Sequence, residues 1–479
     1  MIKLTLNQII QNTSVIDVVN IHNQGNYVIE NVLTDTRQIN FSERGIFVAL
    51  CGKNYDGHDF MDQAYNKGVK IFVIENISKV PEHMKEKCVF ILVPSTVVFL
   101  AELSRLVVNY HKVKGLKVVA VAGSAGKTTT KNILKNMLEF VGFKVLSSKK
   151  SFNNEIGVPL TVFSLNSQHQ ILVLEMGMRG FNQIEYLCSY TDPDYGIITS
   201  IGPEHLEFVY NLKGVIRAES ELTNYLLKKH GYFIIPSKIK GLYTNYSNFD
   251  FIPNKNSFIK NYSPTIKHTT LDIIIDRKKY NLKFEGIISL STLVNFLFSL
   301  KLTQRIISDF LLVDKNAIDA YIKSILVNSS EILNSSIETD RFYFHKLSSS
   351  IYIISDYYNS NYLSLSENLK VVEKVFKYFD KVWLFVGDML ELGNMSRFYH
   401  AKIVRRISKY PSKVKVYYIG SNFYNLKDKF FDDAKYYLTV DDLLKNFPEI
   451  KKNSGKNLIF IKGSRALMLE KVYQKISDL

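Results

Sequence analysis

Gly123-Ser124-Ala125-Gly126-Lys127-Thr128-Thr129-Thr130 follows directly on the apolar, mostly β-branched stretch Val118-Val119-Ala120-Val121-Ala122. Small residues let successive backbone N–H groups converge on one point, because no Cβ stands in the way. The following helix, expected over 131–140, adds partial positive charge at its N-terminus. Lys127 adds a full charge, and Thr128 offers a hydroxyl to Mg²⁺. Such a loop cradles the polyphosphate of a nucleotide. The general pattern G-x-x-x-x-G-K-[ST] needs glycine at 121, where this chain has Val121, so the motif is the shorter G-x-x-G-K-T-T.

Three further groups could act beside that loop. Glu175 ends the apolar run 171–174, and a carboxylate at a strand's end beside a phosphate loop is where a Mg²⁺ ligand belongs. An isolated glutamate there would be merely solvated. The run 195–199 leads through Gly202-Pro203-Glu204 to His205. A lone histidine is often structural, but this one follows a third strand of the same sheet. Asn153 and Asn154 precede Gly157-Val158-Pro159. They are either a turn signal or side chains that orient substrate amides.

Strand–loop–helix units must position these groups. β-rich runs at 117–121, 171–174 and 195–199 each end in a polar loop, the pattern of a parallel sheet covered by helices. Ligands of such sheets bind beyond the carboxyl ends of the strands. The chain reads as an α/β protein of three domains. Residues 1–112 form an N-terminal α/β domain with strands at 45–50 and 70–74 and a helix at 59–67. Residues 113–330 form a central P-loop-type ATPase domain with a mostly parallel sheet, and 240–285 read as a peripheral β region. Residues 331–479 form a smaller, Rossmann-like C-terminal α/β domain, with strands at 351–354, 382–386, 416–419 and 458–461 and helices at 363–378 and 466–476.

Bulk properties narrow the function classes. The chain has 479 residues, enough for about three domains, with 61 Lys+Arg against 45 Asp+Glu and a net charge of +16. The basic residues are scattered, without an Arg-rich arm, so nucleic acid is not an expected partner. A polyanionic substrate plus ATP suits a positive surface equally well. Cys51, Cys88 and Cys188 lack C-x-x-C spacing, consistent with reduced thiols in the cytoplasm. No signal peptide is read at the N-terminus, and the longest apolar stretch, 88–103, is too interrupted for membrane insertion. A monomer is expected.

The motifs G-S-A-G-K-T-T-T, F-N-N-E-I-G-V-P-L-T, L-E-M-G, I-G-P-E-H-L-E and I-R-A-E-S-E-L occur in an order and spacing that resembles the Mur ligases. The likeness continues at Thr34-Asp35-Thr36-Arg37, at 45–50 and at 52–60 in the first domain. In the third it continues at 356–361, at Gly387-Asp388-Met389-Leu390-Glu391-Leu392-Gly393, and at Lys462-Gly463-Ser464-Arg465. N-N-E-I-G-V-P and G-D-M-L-E-L-G are similar to the branch that adds D-alanyl-D-alanine to UDP-N-acetylmuramoyl-tripeptide. The resemblance implies an ATP-dependent amide ligase that works through an acyl phosphate. It implies that Gly123, Ser124, Ala125, Gly126, Lys127, Thr128 and Thr129 hold the ATP phosphates, with Asn295 at the adenine, Arg341 at the phosphates and Asp356 at the ribose. Thr128 and Glu175 would hold one Mg²⁺ and His205 a second. Thr36, Arg37, Asp56, Asn153, Asn154, Asn359 and Asn361 would contact the two substrates. The third domain must then close over ATP.

The chain departs from that family most at Glu219. A lysine is usual there, carbamylated by CO₂ so that its carboxylate helps hold the second Mg²⁺. Glu219 could supply the charge directly, although its arm is several ångströms shorter, counted in single bonds of about 1.5 Å. Alternatively it is a surface residue of a helix, and the second metal is weak. Lys213 cannot substitute on a helix, because six residues at 3.6 per turn turn it about 240° away. Ser355, Tyr362 and Thr292 also depart from the usual residues, and the N-x-D-D element is missing around Pro236. A related ligase with another acceptor, folate-type included, and a catalytically silent protein of the same fold remain the competing readings.

Overall fold

The computed structural model describes residues 4–21, 26–40, 44–52, 55–252, 259–275, 278–430, 433–450 and 455–478. Lys53 and Asn54 of the N-terminal motif lie outside the described residues. The N-terminal sheet has five strands in the order Asp17–Val19, Val89–Leu92, Ile71–Ile74, Gly45–Val48, Asn31–Leu33, parallel apart from the first pair. The helix expected at 59–67 is divided. A 3₁₀ turn, Gly57–Phe60, is capped by the Asp56 carboxylate, and the α-helix Met61–Asn66 follows.

The central sheet is wholly parallel. Its order is Phe249–Ile252, Tyr232–Pro236, Tyr195–Ile198, Lys117–Ala122, Ile171–Glu175, Val145–Ser147. Val118 to Ala122 are fully buried, since helices cover both faces of an inner parallel strand and no alternation is needed. Ile171–Glu175 pairs on one side, with Glu175 opposite Val121; Tyr195–Ile198 pairs on the other, with Ile198 opposite Ala122. The three strands end level, so their loops emerge side by side. One apolar cluster covers one face of this sheet and continues into both outer units. A second packs the other face against the helix Leu290–Leu311.

Residues 240–285 are not one peripheral unit. Phe249–Ile252 adds an edge strand to the central sheet, and only Ile259–Pro264, His268–Ile275 and Lys278–Glu285 form a separate antiparallel sheet.

The C-terminal sheet matches the central one in strand number, contrary to the expectation of a smaller sheet. Its order is Tyr343–Lys346, Ile351–Asp356, Asn457–Lys462, Lys381–Gly387, Val414–Ile419, Lys435–Tyr437, parallel except for the first pair. The two short edge strands, Tyr-Phe-His-Lys and Lys-Tyr-Tyr, lack the apolar runs that mark inner strands. The helix Tyr362–Val375 and a 3₁₀ turn, Phe376–Tyr378, fill the expected 363–378. The helix expected at 466–476 is broken: Met468 sits at φ +53° between a 3₁₀ turn, Arg465–Leu467, and the helix Glu470–Ser477. Among the described residues, no helix is long and apolar enough to cross a membrane.

Candidate active site

The phosphate-loop helix spans Lys127–Phe140 and so begins one turn before the expected 131. Gly126, at φ +86°, is its N-cap. A Cβ there would lie 2.5 Å from Asn295 Nδ2, so the glycine admits both the left-handed turn and the close approach of Asn295. Gly123, at φ +120°, is equally confined, because a Cβ would lie 2.3 Å from Thr199 Oγ1. Lys127 Nζ donates to Gly123 O at 2.6 Å. Burial alone would lower its pKa, but Glu204, Glu219 and Glu175 outweigh that and hold it above the ordinary lysine value.

On one side of Lys127 the polar groups are paired. Thr128 Oγ1 donates to Glu175 Oε2 at 2.6 Å, and Asn153 Nδ2 donates to Glu175 Oε1 at 2.8 Å. The Glu175 backbone N–H donates to Ser148 Oγ at 3.2 Å. The paired asparagines differ in what they touch. Asn154 Oδ1 accepts from Gly157 N at 2.9 Å and forms the turn, whereas Asn153 faces the acid.

The other side differs. Glu219 is 1% exposed, which removes the reading of a surface residue. Its helix, Leu212–Lys228, buries Val215, Ala218, Glu219 and Leu222 on one face, and Lys213 is exposed. Burial pushes the Glu219 carboxyl up to about 8; Lys127 opposes this and Glu204 reinforces it. Glu204 Oε1 and Glu219 Oε2 are both buried without a hydrogen-bond partner. Glu204 lines the cavity beside His205, while Glu219 lies behind the lining. The sequence reading passed over Glu204, an acid directly before the chosen histidine. Unpaired buried carboxylate oxygens are costly unless a cation balances them, and hard oxygen donors suit Mg²⁺. The orphaned oxygens of Glu204 and Glu219 thus suit a divalent cation, and the Glu175 carboxylate with the Thr128 hydroxyl suits one by its hard donors alone.

These groups line a cavity of about 1140 Å³ between the central and C-terminal sheets. Ser124 to Thr129, Asn153, Asn154, Glu175, His205 and Asn295 line one wall; Arg341, Asp356, Asn359 and Asn361 line the other. Arg341 stacks over the Tyr358 ring at 4.0 Å and donates to Ser151 Oγ at 2.9 Å across the cleft. Asp356 accepts from Lys462 Nζ at 2.7 Å and from Asn368. Lys462, 1% exposed, was not singled out from the sequence, although it opens the Lys-Gly-Ser-Arg motif. Asn361 caps the helix Tyr362–Val375, and its Nδ2 donates to Ser124 O at 2.9 Å, tying the third unit to the phosphate loop.

Gly123 underlies the loop but is not in the cavity wall. Neither are Thr36, Arg37 and Asp56, all in the N-terminal unit. Thr36 Oγ1 donates to Gln63 Oε1 at 2.9 Å, Arg37 pairs with Asp35 at 2.8 Å, and Asp56 pairs with His58 and Lys79.

Known proteins resemble this chain in sequence and in fold. The pattern described as "Mur ligase middle domain" matches residues 121–284, and that described as "Mur ligase family, catalytic domain" matches residues 28–107. The UDP-N-acetylmuramoyl-tripeptide–D-alanyl-D-alanine ligase of Bacillus subtilis is 29% identical over 463 residues, covering 94% of each chain. Its counterpart in Haemophilus influenzae is 27% identical over 473 residues, covering 95% of this chain and 94% of the relative. MurF from Acinetobacter baumannii superposes with a TM-score of 0.79 at 21% identity, covering 100% of this chain and 99% of the other. MurF from Thermotoga maritima in complex with ADP gives 0.76 at 23% identity, covering 94% and 97%. The chain belongs to the Mur ligase family and is an ATP-dependent ligase of peptidoglycan-precursor synthesis.

Proposed function

We propose that this chain joins D-alanyl-D-alanine to UDP-N-acetylmuramoyl-tripeptide in the cytoplasm. The observation that carries this reading is that Lys127, Glu175 and His205, at or just beyond the ends of three adjacent strands, meet Arg341 and Asp356 in one cavity. The full-length relatives named for this reaction support the choice of substrates. In the first step the tripeptide's terminal carboxylate attacks the ATP γ-phosphorus, the bond to the β-phosphate oxygen breaks, and ADP leaves. The dipeptide amine then attacks the acyl phosphate carbonyl, loses a proton, and expels inorganic phosphate as the amide forms.

Both steps bring anions together, so the residues act by neutralising charge and fixing position. Lys127 and the loop N–H groups hold the β- and γ-phosphates. Arg341 approaches the phosphates from the opposite wall, Asn295 contacts the adenine and Asp356 the ribose. Thr128 and Glu175 would hold one Mg²⁺, and His205 a second with Glu204 and with Glu219, which would stand in for the family's carbamylated lysine without CO₂. When bound, Mg²⁺ screens the charge between phosphate and attacking carboxylate. The nucleotide-sugar end is assigned to residues 1–112 through Thr36, Arg37 and Asp56. Asn153 and Asn359 face the peptide ends, and Asn154 acts by holding the turn that presents Asn153. Asn361 acts by holding residues 331–479 against the central domain, 113–330.

The test measures ADP release by the purified chain with each substrate omitted in turn. Release that requires both the UDP-muramoyl tripeptide and D-alanyl-D-alanine is expected. Equal release with another amino acid or dipeptide would overturn the choice of acceptor.

A further inference from the structure

The loop Gly387-Asp388-Met389-Leu390-Glu391 leaves the C-terminal sheet and ends against His205 of the central unit. Its root is fixed at several points. The Asp388 carboxylate accepts from Asn422 N at 2.8 Å and Phe423 N at 3.0 Å, and Met389 N donates to His400 Nε2 at 3.0 Å. Ser464 Oγ donates to Asp388 O at 2.9 Å. From that rigid base Glu391 reaches across the cleft. Its Oε2 takes a hydrogen bond from His205 Nδ1, and its backbone O accepts from Glu207 N at 3.3 Å. Arg179 Nε approaches the other carboxylate oxygen at 3.6 Å.

The backbone at this contact is unusual on both sides. His205 lies at φ +49° and Glu391 at φ +60°, a left-handed region that costs a non-glycine residue free energy and persists where its surroundings impose it. Gly393 is pressed against the same segment, since a Cβ there would lie 3.2 Å from Glu207 Cα. With Nδ1–H directed at a carboxylate, the lone pair of His205 is on Nε2. That atom faces Glu204 Oε2 at 3.8 Å, beyond hydrogen-bond length, and the other oxygen of the same carboxylate is buried without a partner. A carboxylate behind a histidine sets both tautomer and ring orientation for a metal at the other nitrogen.

We propose that Glu391 is a positioning residue that fixes His205 for the second divalent cation. That corner of the site is then complete only when the C-terminal domain is docked. The inference rests on the reading of His205 as a cation ligand. It links closure of the third domain to the charge screening that phosphoryl transfer needs, so that a chain open at this joint holds ATP without being armed to use it.

The test uses the full-length protein, Mn²⁺ as probe and β,γ-methylene-ATP, with bound Mn²⁺ counted by electron paramagnetic resonance. Wild type is expected to bind two Mn²⁺ per nucleotide. Glu391→Ala should weaken one of them by about 10–100-fold and leave the other within about twofold, with kcat falling and the KM for ATP little changed. Glu391→Gln keeps an acceptor for Nδ1–H and should restore the second ion to within about threefold. Unchanged affinities in Glu391→Ala, or an equal loss at both ions, would overturn the proposal and leave Glu391 a plain interface contact. A single Mn²⁺ in wild type would instead sink the reading of His205 as a ligand, and this inference with it.

Discussion

The two flanks of Lys127 are built on different terms. Toward Ile171–Glu175, every acceptor of the buried carboxylate has a protein donor, Thr128 on one oxygen and Asn153 on the other. Toward the helix Leu212–Lys228, Glu204 and Glu219 each keep a buried oxygen without a partner. The first flank is complete as folded. In the second, the Lys127 ammonium attracts both acids, and Glu219 also meets the Gly123 backbone and the Glu204 side chain. One acid pre-organises its neighbours, whereas each acid of the pair keeps a buried oxygen free for a cation. The chemistry proposed here needs both: a rigid seat for phosphate, and a corner whose stability depends on what binds.

Removing the shared lysine is the strongest way to break this comparison. Lys127→Ala takes away the counter-ion of three carboxylates and, on the proposed reading, the ligand of the terminal phosphates. ADP formation dependent on both substrates is expected to fall by about 10³-fold or more. A loss below tenfold in a steady-state assay would mean that the loop does not carry the reaction. Glu175→Ala should rank next. It leaves Thr128 and Asn153 without their acceptor, and unsatisfied buried groups cost about 1–3 kcal/mol, to be read by urea denaturation. Phosphate release should fall in parallel. If activity fell with stability untouched, the paired flank would be a ligand site alone and not a pre-built one.

Much of the first flank was legible in the sequence, and little of the second. A run of five buried apolar residues ending at glycine, lysine and threonine can hardly be anything but an inner strand and a phosphate loop. Glu175 and His205 were found because they end two similar runs. Helix periodicity also turned Lys213 away from Glu219, and the structure has it exposed. Glu204 escaped because an acid beside a histidine has no periodic mark, and only the fold brings it against Glu219, 15 positions further on. The reach of Asn295 over Gly126 and of Glu391 to His205 depends on packing between distant segments, which local spacing does not encode. The edge strands of the C-terminal sheet were missed for a simpler reason: they are short and only half-buried, so their sequence carries no apolar run.

The unpaired flank predicts its own pH dependence. The folded-state pKa of Glu219 is raised, from an ordinary 4.5 to about 8, so the folded chain binds more protons than the unfolded one between those values. Its contribution is therefore least unfavourable below about pH 4.5 and worsens as pH rises toward 8. Glu219→Gln, which stays neutral, should be more stable than wild type at pH 8, with the gap closing toward pH 5. Urea midpoints measured across that range without Mg²⁺ or nucleotide supply the test. A gap that widens toward acid pH would show that Glu219 is held ionised after all.

The smallest effect is the most discriminating, because the expected change is none. A carbamylated lysine forms from CO₂, so an enzyme that uses one loses activity in buffer stripped of bicarbonate and regains it when bicarbonate returns. On the proposed reading the slot holds a carboxylate that needs no addition, and Glu204 brings a second one to the cavity wall. ADP release by wild type in degassed, bicarbonate-free buffer should therefore equal that in air. Glu219→Lys tests the same comparison in reverse. The longer arm can be carbamylated, and the variant should become responsive to added bicarbonate while remaining less active than wild type without it. Bicarbonate dependence in wild type would place the carbamate on some other lysine. The two orphaned oxygens would then have to be explained by a proton shared between Glu204 and Glu219 instead of a cation.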